Sequence, residues 1–284
     1  MQTNNTVTCR ALTFCWKILR ILILSYLGIC AYVYFNQTNL LFHPSPVIER
    51  TPDKLGLTYE KVEIGTSDGA KITGWFVHSS IPSENVFLLF HGNSLNMSFF
   101  LDRLHFLTRL GYNVLTIDYR GYGESPGRPS EKGTYLDSLA AWDYLTKIKG
   151  YSNSRIVVYG HSLGGGVALA LCAEKTPSAL ILENTFTSIP DMAGKVYWYL
   201  PAELLCTCKY PNFSNILKIK CPVLIIHSPE DEFIPVEMGE KLYQLAPQPK
   251  FFLEIHGSHN QAFLFSWKVY LEGIRKFLEN PDGK

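Results

Sequence analysis

Gly160-His161-Ser162-Leu163-Gly164 follows directly on the apolar run RIVVY and precedes a helical stretch that reaches Lys175. A serine between two glycines at a strand-to-helix turn forms the G-x-S-x-G elbow. Glycine, lacking a side chain, lets the chain bend sharply enough there to lift a hydroxyl above a sheet edge. An ordinary glycine turn can spell the same string; the preceding strand and following helix favour chemistry. That chemistry is nucleophilic attack. A serine hydroxyl needs a base to take its proton, and the base needs an acid to set its tautomer. Ser162 is the candidate nucleophile, and its two partners are expected downstream.

The run VLIIH leads into Ser228-Pro229-Glu230-Asp231-Glu232-Phe233-Ile234-Pro235, a carboxylate cluster at a strand end. Asp231 is the candidate acid, with Glu230 and Glu232 as neighbouring substitutes and a solvated acidic turn as the non-catalytic alternative. The last strand-like run, KFFLEI, ends in His256-Gly257-Ser258-His259-Asn260. His259 lies in the loop before the final helix and is the candidate base, whereas His256 at the strand terminus reads as a surface or packing residue. The chain order Ser, Asp, His is the one used by serine hydrolases built on an open α/β sheet. A tetrahedral intermediate also needs two backbone N–H donors for its oxyanion. Leu163 supplies one by following the nucleophile, and Asn93 in His91-Gly92-Asn93 is the candidate for the other. His91 reads as a brace for that loop, and a plain glycine turn is the competing reading.

Placing these residues together requires a scaffold. Strands are predicted near Glu60–Ile64, Lys71–Val77, Val86–Phe90, Asn113–Asp118, Arg155–Tyr159, Ala179–Glu183, Val223–His227 and Lys250–Ile255, with helical stretches between most of them. The runs VFLLF, NVLTID, RIVVY, ALILE and VLIIH are continuously apolar, as expected of parallel strands covered on both faces. The predicted class is α/β, an α/β-hydrolase fold: a mostly parallel eight-stranded sheet with helices on both faces, a small cap and an N-terminal transmembrane helix. In such sheets, active residues collect beyond the carboxyl ends of the strands.

Ahead of this domain, residues 18–35 read ILRILILSYLGICAYVYF, whose only charge is Arg20. As a helix they would extend about 27 Å, close to a bilayer core. The run closes on bulky Tyr32, Tyr34 and Phe35 in place of a small-residue cleavage site, which favours an anchor over a signal peptide. Arg10 and Lys17 precede the span, Arg20 lies in its first turn, and no Lys or Arg follows until Arg50. That bias predicts a single-pass type II protein with a cytoplasmic N-terminus and a lumenal, periplasmic or extracellular catalytic domain. The expected organisation is a tail at 1–17, the anchor at 18–35, a linker at 36–59 and the hydrolase domain at 60–284, with its cap at about 185–220. Asn-x-Ser/Thr sequons begin at Asn4, Asn36, Asn96 and Asn212; the last two would be used only in a glycosylating lumen and if exposed. Cys9 and Cys15, beside the span, are candidate palmitoylation sites.

Composition removes other classes. With 26 basic against 25 acidic residues the net charge is +1, so no field draws in nucleic acid. The 46% hydrophobic content excludes disorder. The seven cysteines lack CxxC pairing and His-rich company, which argues against structural zinc. Among them, Cys206, Cys208 and Cys221 could form one disulfide only in an oxidising compartment.

LLFHPSP, HGNSLN, DYRGYGESPG, GHSLGG, LENTFTSIPDMA, SPEDEFIP and GSHN together resemble a membrane-anchored branch of the α/β hydrolases. This branch includes α/β-hydrolase domain-containing protein 13 and its bud-emergence relatives in fungi and plants, and the likeness spans most of the chain after the anchor. It implies a type II hydrolase with Ser162, Asp231 and His259 as the triad and Asn93 and Leu163 at the oxyanion hole. The group more usually reads HGNAGN where this chain has HGNSLN, so Leu95 replaces a small residue. Some members are protein depalmitoylases, so the resemblance leaves lipid ester and acyl thioester both open.

The cap interval, Thr185 to Lys220, contains VYWYLPAELLCTCKYP. Tyr197, Trp198, Tyr199, Leu204 and Leu205 would suit an acyl-binding wall or a membrane-facing surface, or would simply pack the cap onto the core. The expected activity is hydrolysis of carboxylic ester or thioester bonds in acyl-lipid or acylated-protein substrates, with the bilayer as the other partner. The alternatives are a serine peptidase or amidase and a noncatalytic interaction protein on the same scaffold. A dehalogenase or epoxide hydrolase would need an Asp nucleophile. No cofactor or metal is expected, so ester turnover measured with and without a chelator should be the same.

Overall fold

A computed structural model describes residues 3–281 and 283, with side chains from Leu12 onward; the side chains of Asn4, Cys9 and Arg10 lie outside the described residues. One sheet contains β1 (Tyr59–Gly65), β2 (Lys71–Val77), β3 (Val86–Phe90), β4 (Asn113–Ile117), β5 (Ile156–His161), β6 (Ala179–Glu183), β7 (Val223–His227) and β8 (Lys250–Glu254). Their spatial order is β8-β7-β6-β5-β3-β4-β2-β1. Only β2 runs antiparallel, to both its neighbours; every other pairing is parallel. All eight expected strands are present, in the mostly parallel α/β-hydrolase arrangement.

Side-chain alternation divides the core between the two faces of the sheet. Val86, Leu88 and Phe90 of β3 join one cluster, which takes in Trp142 of α3 (Glu131–Asp143), Val167 and Leu171 of α4 (Leu163–Glu174) and Leu242 of α6 (Val236–Leu245). Phe87 and Leu89 join the other, with Leu104 of α2 (Leu101–Arg109) and Ile274 of α7 (Trp267–Glu279). Every residue of β3 is therefore buried, which explains why the sequence shows an unbroken apolar run rather than an alternating one.

The N-terminal helix α1 spans Thr3–Leu41, and the most apolar 18-residue window of its Leu12–Leu41 portion has mean hydropathy 1.9, with none of that window buried. It continues beyond Phe35 because no proline interrupts the backbone ladder before Pro44. The expected linker, 36–59, thus begins as helix, continues as the pair His43–Pro44 bridged in parallel to Ser94–Leu95, and includes a 3-10 turn at Pro52–Leu55.

Between β6 and β7 the cap contains α5 (Ile189–Val196) and short turns at Ala202–Leu205, Asn212–Asn215 and Ile216–Lys218. The Ser188 side chain starts α5 by accepting from the Asp191 N–H at 3.1 Å. Trp198 is 81% and Leu204 84% exposed, so these side chains do not pack the cap onto the core. The sequons at Asn96 and Asn212 are closed to modification in the folded chain, because both side chains are fully buried and hydrogen-bonded. The six described cysteines are free.

A buried ion pair ties α2 to the sheet. Arg103 donates through Nε and Nη2 to both carboxylate oxygens of Glu183, at 3.2 and 2.9 Å, beneath the end of β6. Both side chains are almost wholly removed from solvent, and Tyr159 also donates to Glu183. Removing one partner leaves a buried charge uncompensated. Arg103→Ala should therefore cost about 3–5 kcal/mol of stability in chemical denaturation.

Candidate active site

Ser162 sits between β5 and α4 at φ 54 and ψ −120, a conformation that side-chain-bearing residues rarely adopt. The turn closes only because its flanks lack side chains. A Cβ on Gly160 would lie 2.3 Å from the Gly164 carbonyl oxygen, and one on Gly164 would lie 2.1 Å from that of Phe90. Three hydrogen bonds hold the strained residue: its N–H donates to Glu183 O at 2.9 Å, and its carbonyl accepts from Gly165 N at 3.0 Å and Thr185 Oγ1 at 2.8 Å.

The turn after β7 carries three carboxylates, and each has a different task. Asp231 Oδ2 lies 2.6 Å from His259 Nδ1, while its Oδ1 accepts from the N–H groups of Phe233 and Ile234 at 2.9 and 2.8 Å. Glu232 accepts from the His259 backbone N–H at 2.9 Å. Glu230 instead faces the exposed His256, 3.3 Å from its Nδ1. Asp231 and His259 thus form the orienting pair expected of a base and its acid, and His256 lies outside it.

His259 is brought over the elbow through its carbonyl, which accepts from Asn184 Nδ2 at 2.9 Å and lies 3.3 Å from His161 Nε2. The rings of His161 and His259 are 5.0 Å apart. Ser162 Oγ forms no hydrogen bond among the described residues, so the structure joins the Asp–His pair but leaves the serine link open. Such links commonly tighten only with substrate present.

Asn184, just after β6 at φ 45, was not identified from the sequence alone. Its side chain bridges two loops, donating to His259 and accepting from the Ser228 N–H at 3.1 Å. The only signal was its place in the block LENTFTSIPDMA. His227 was missed too: it reaches within 3.8 Å of Asp231 Oδ2, and burial lowers its pKa.

On the other side, Gly92 places its backbone against the elbow, where an added Cβ would lie 3.5 Å from Ser162 Cβ. The bonds that hold Asn93 do not use its own N–H. Its carbonyl accepts from His43 N and Tyr122 OH at 2.9 and 2.6 Å, and its side-chain amide donates to Leu41 O at 2.8 Å. Leu163 is the first residue of α4, so its N–H is one of the donors that a helix start leaves unpaired. Leu163 thus follows Ser162 directly, and Gly92, the neighbour of Asn93, lies against it. Among the described residues, no cluster of three His, Cys, Asp or Glu side chains is suited to a metal ion.

His91 packs beneath this loop, its ring centroid 4.4 Å from that of Tyr119. Complete burial lowers its pKa to about 4. Its Nε2 lies 3.5 Å from Asp118 Oδ1, and burial raises the Asp118 pKa to about 7. Burial thus disfavours the charged form of both groups at this contact. Asp118 Oδ1 also accepts from the Met97 N–H at 2.7 Å, connecting the pair to the loop's far end.

Comparison with known proteins agrees with this architecture. The family model described as "Serine aminopeptidase, S33" matches residues 81–212. The α/β hydrolase domain-containing protein WAV2 of Arabidopsis thaliana is 36% identical over 277 residues, covering 89% of this chain and 90% of its own. Protein bem46 of Schizosaccharomyces pombe is 38% identical over 242 residues, covering 82% and 80%. The lysophosphatidylserine lipase ABHD12 of Danio rerio is 37% identical over 217 residues, which cover 69% of this chain but 56% of that protein. Among solved structures, Pyrococcus furiosus esterase Pf2001 superposes with a TM-score of 0.70 at 22% identity, covering 84% of this chain and 97% of that one, a likeness of fold.

The raised Asp118 pKa has a consequence for stability. A carboxyl that binds its proton more tightly when folded opposes folding increasingly as pH rises from its unfolded value near 4 to its folded value near 7. Asp118→Asn keeps an acceptor for Met97 and removes that penalty. Denaturant unfolding should show no gain below about pH 4, and a gain that grows to at most about 4 kcal/mol by pH 8.

Proposed function

Because the chain belongs to the α/β-hydrolase family, alongside bem46 and WAV2, we propose that it is a membrane-anchored serine hydrolase cleaving ester or thioester bonds of acyl substrates. The observation that carries this reading is the strained Ser162 elbow set beside the Asp231–His259 pair, closed at 2.6 Å. In the proposed reaction, His259 Nε2 accepts the Ser162 proton as Oγ attacks the acyl carbonyl. Asp231 holds the opposite ring nitrogen protonated and stabilises the imidazolium. The oxyanion is received by the N–H groups of Asn93 and Leu163. His259 then returns the proton to the leaving alcohol or thiol, and water releases the acyl group by the same route in reverse.

Acyl substrates are favoured by the setting of the site. Helix α1 is long and apolar enough to cross a bilayer, and the cap is tied to it at two levels. Tyr26 OH donates to Tyr199 O at 3.0 Å, and Gln37 donates to Leu205 O at 2.7 Å while accepting from Thr207 N at 2.6 Å. These contacts hold the exposed Trp198, Tyr199 and Leu204 beside the proposed membrane span, where acyl chains are concentrated. Within this reading the topology is type II, with the hydrolase domain on the side opposite the basic N-terminal flank. A relative named as a lysophosphatidylserine lipase is consistent with a lipid ester substrate.

A fluorophosphonate probe should label the detergent-solubilised chain but not Ser162→Ala, and the substitution should lower ester or thioester turnover by at least about 10⁴-fold. Turnover should rise with acyl-chain length. An unlabelled parent, or rates indifferent to chain length, would count against the proposal.

A further inference from the structure

The segment leaving α1 is bonded to the candidate oxyanion loop almost residue by residue. Leu41 O, one of the carbonyls a helix end leaves without an internal partner, accepts from the Asn93 side chain at 2.8 Å. His43 N donates to Asn93 O, and Ser45 N to Leu95 O, each at 2.9 Å, forming the short parallel bridge. Asn96, fully buried, donates to Ser45 O at 3.0 Å and Val47 O at 2.7 Å, and its Oδ1 accepts from the Ser98 N–H. Phe42 is buried in the main core, so the segment is seated at its start.

The loop it holds contains a residue in an unfavourable conformation. Leu95 has φ 68, in the left-handed region, where a side-chain-bearing residue costs about 1–2 kcal/mol. Leu95 is partly exposed, so its own burial offers little to retain that geometry. Its carbonyl is what Ser45 grips. Two residues earlier stands Asn93, whose N–H is the proposed oxyanion donor.

We infer that residues 41–47 act as a strap that positions the oxyanion loop, making the end of the membrane helix a structural part of the active site. His43 and Ser45 are its positioning residues, acting through backbone N–H groups on Asn93 and Leu95. The inference rests on the serine hydrolase reading for its catalytic consequence, but not for the strap itself. A strap of this kind explains how a loop with leucine at a left-handed position can keep its donor aimed. It also means that the anchor does more than hold the enzyme at a membrane.

The test replaces each donor in the full-length chain in detergent. Ser45→Pro removes the N–H that reaches Leu95 but keeps the carbonyl that receives Asn96 and Gly123; His43→Pro does the same for Asn93. Ser45→Ala, which keeps the N–H, is the control. Each proline variant should lower kcat about tenfold or more, short of the roughly 10²–10³ lost when an oxyanion donor is removed outright. KM should change by less than about twofold, since aim at the oxyanion acts in the transition state. Hydrogen exchange should quicken at 91–96 and stay parental in β5 and α4. Adding Leu95→Gly to Ser45→Pro should restore much of kcat, because glycine enters the left-handed region without the steric cost that the Ser45 bond otherwise has to offset.

Parental kcat and parental exchange at 91–96 in both proline variants would overturn the strap. So would a loss that Leu95→Gly fails to restore and that accompanies general loosening of the fold. A parent inactive on every ester and thioester would sink the hydrolase reading instead, and the exchange pattern would still decide the strap.

Discussion

At Ser162 the backbone holds a conformation that costs free energy, and the surrounding contacts all serve to keep it. β5 lies inside the sheet between β3 and β6, so the turn that follows has backbone on both sides. From β6 comes the Glu183 carbonyl that takes the serine N–H, and from β3 the Phe90 carbonyl that leaves no room for a side chain at position 164. Glu183 is locked in turn by Arg103 and Tyr159. An elbow at a sheet edge strand would lose half of this enclosure. The central place of β5 is therefore a requirement of this elbow, and the crossovers that put it there are subordinate to it.

The partners arrive by a different principle. The loops after β7 and β8 have no strain to store and are specified by hydrogen bonds. Three successive acidic residues could each have served the histidine. A tight turn that points Oδ1 of Asp231 at its own backbone N–H groups leaves Oδ2 free to meet His259. Glu232 secures the histidine backbone, and Glu230 is directed outward to His256. Asn184 connects this assembly to the elbow, its left-handed backbone tolerated because asparagine accepts that region more readily than most residues.

The apolar N-terminal helix adds a third kind of constraint. α1 does not lead into a free tether. It ends on the loop that lies against Ser162, and its exposed flank receives the cap through Tyr26 and Gln37. Apolar side chains that would be a liability in a wholly aqueous protein are gathered beside that helix, which fits the proposed acyl chemistry.

Much of this was legible in the amino-acid order because it depends on local rules. Five unbroken apolar runs required strands buried on both faces, and all eight expected strands form. The G-x-S-x-G string in its strand-and-helix context was enough to locate the elbow, since close approach there excludes any side chain. The long apolar run marked α1 by composition alone. What remained open depended on contacts between residues distant in the chain. Tyr197 to Leu205 read equally as core or surface, because hydrophobicity does not say what lies opposite. The division of labour among Glu230, Asp231 and Glu232 turns on where His256 and His259 come to rest. Asn184 and His227 carry no motif of their own, and the sequon at Asn96 does not reveal that its side chain is buried. Residues 36–59 looked like a linker because strap pairing joins positions about fifty residues apart, and backbone hydrogen bonds across such a distance leave no periodic trace in a sequence.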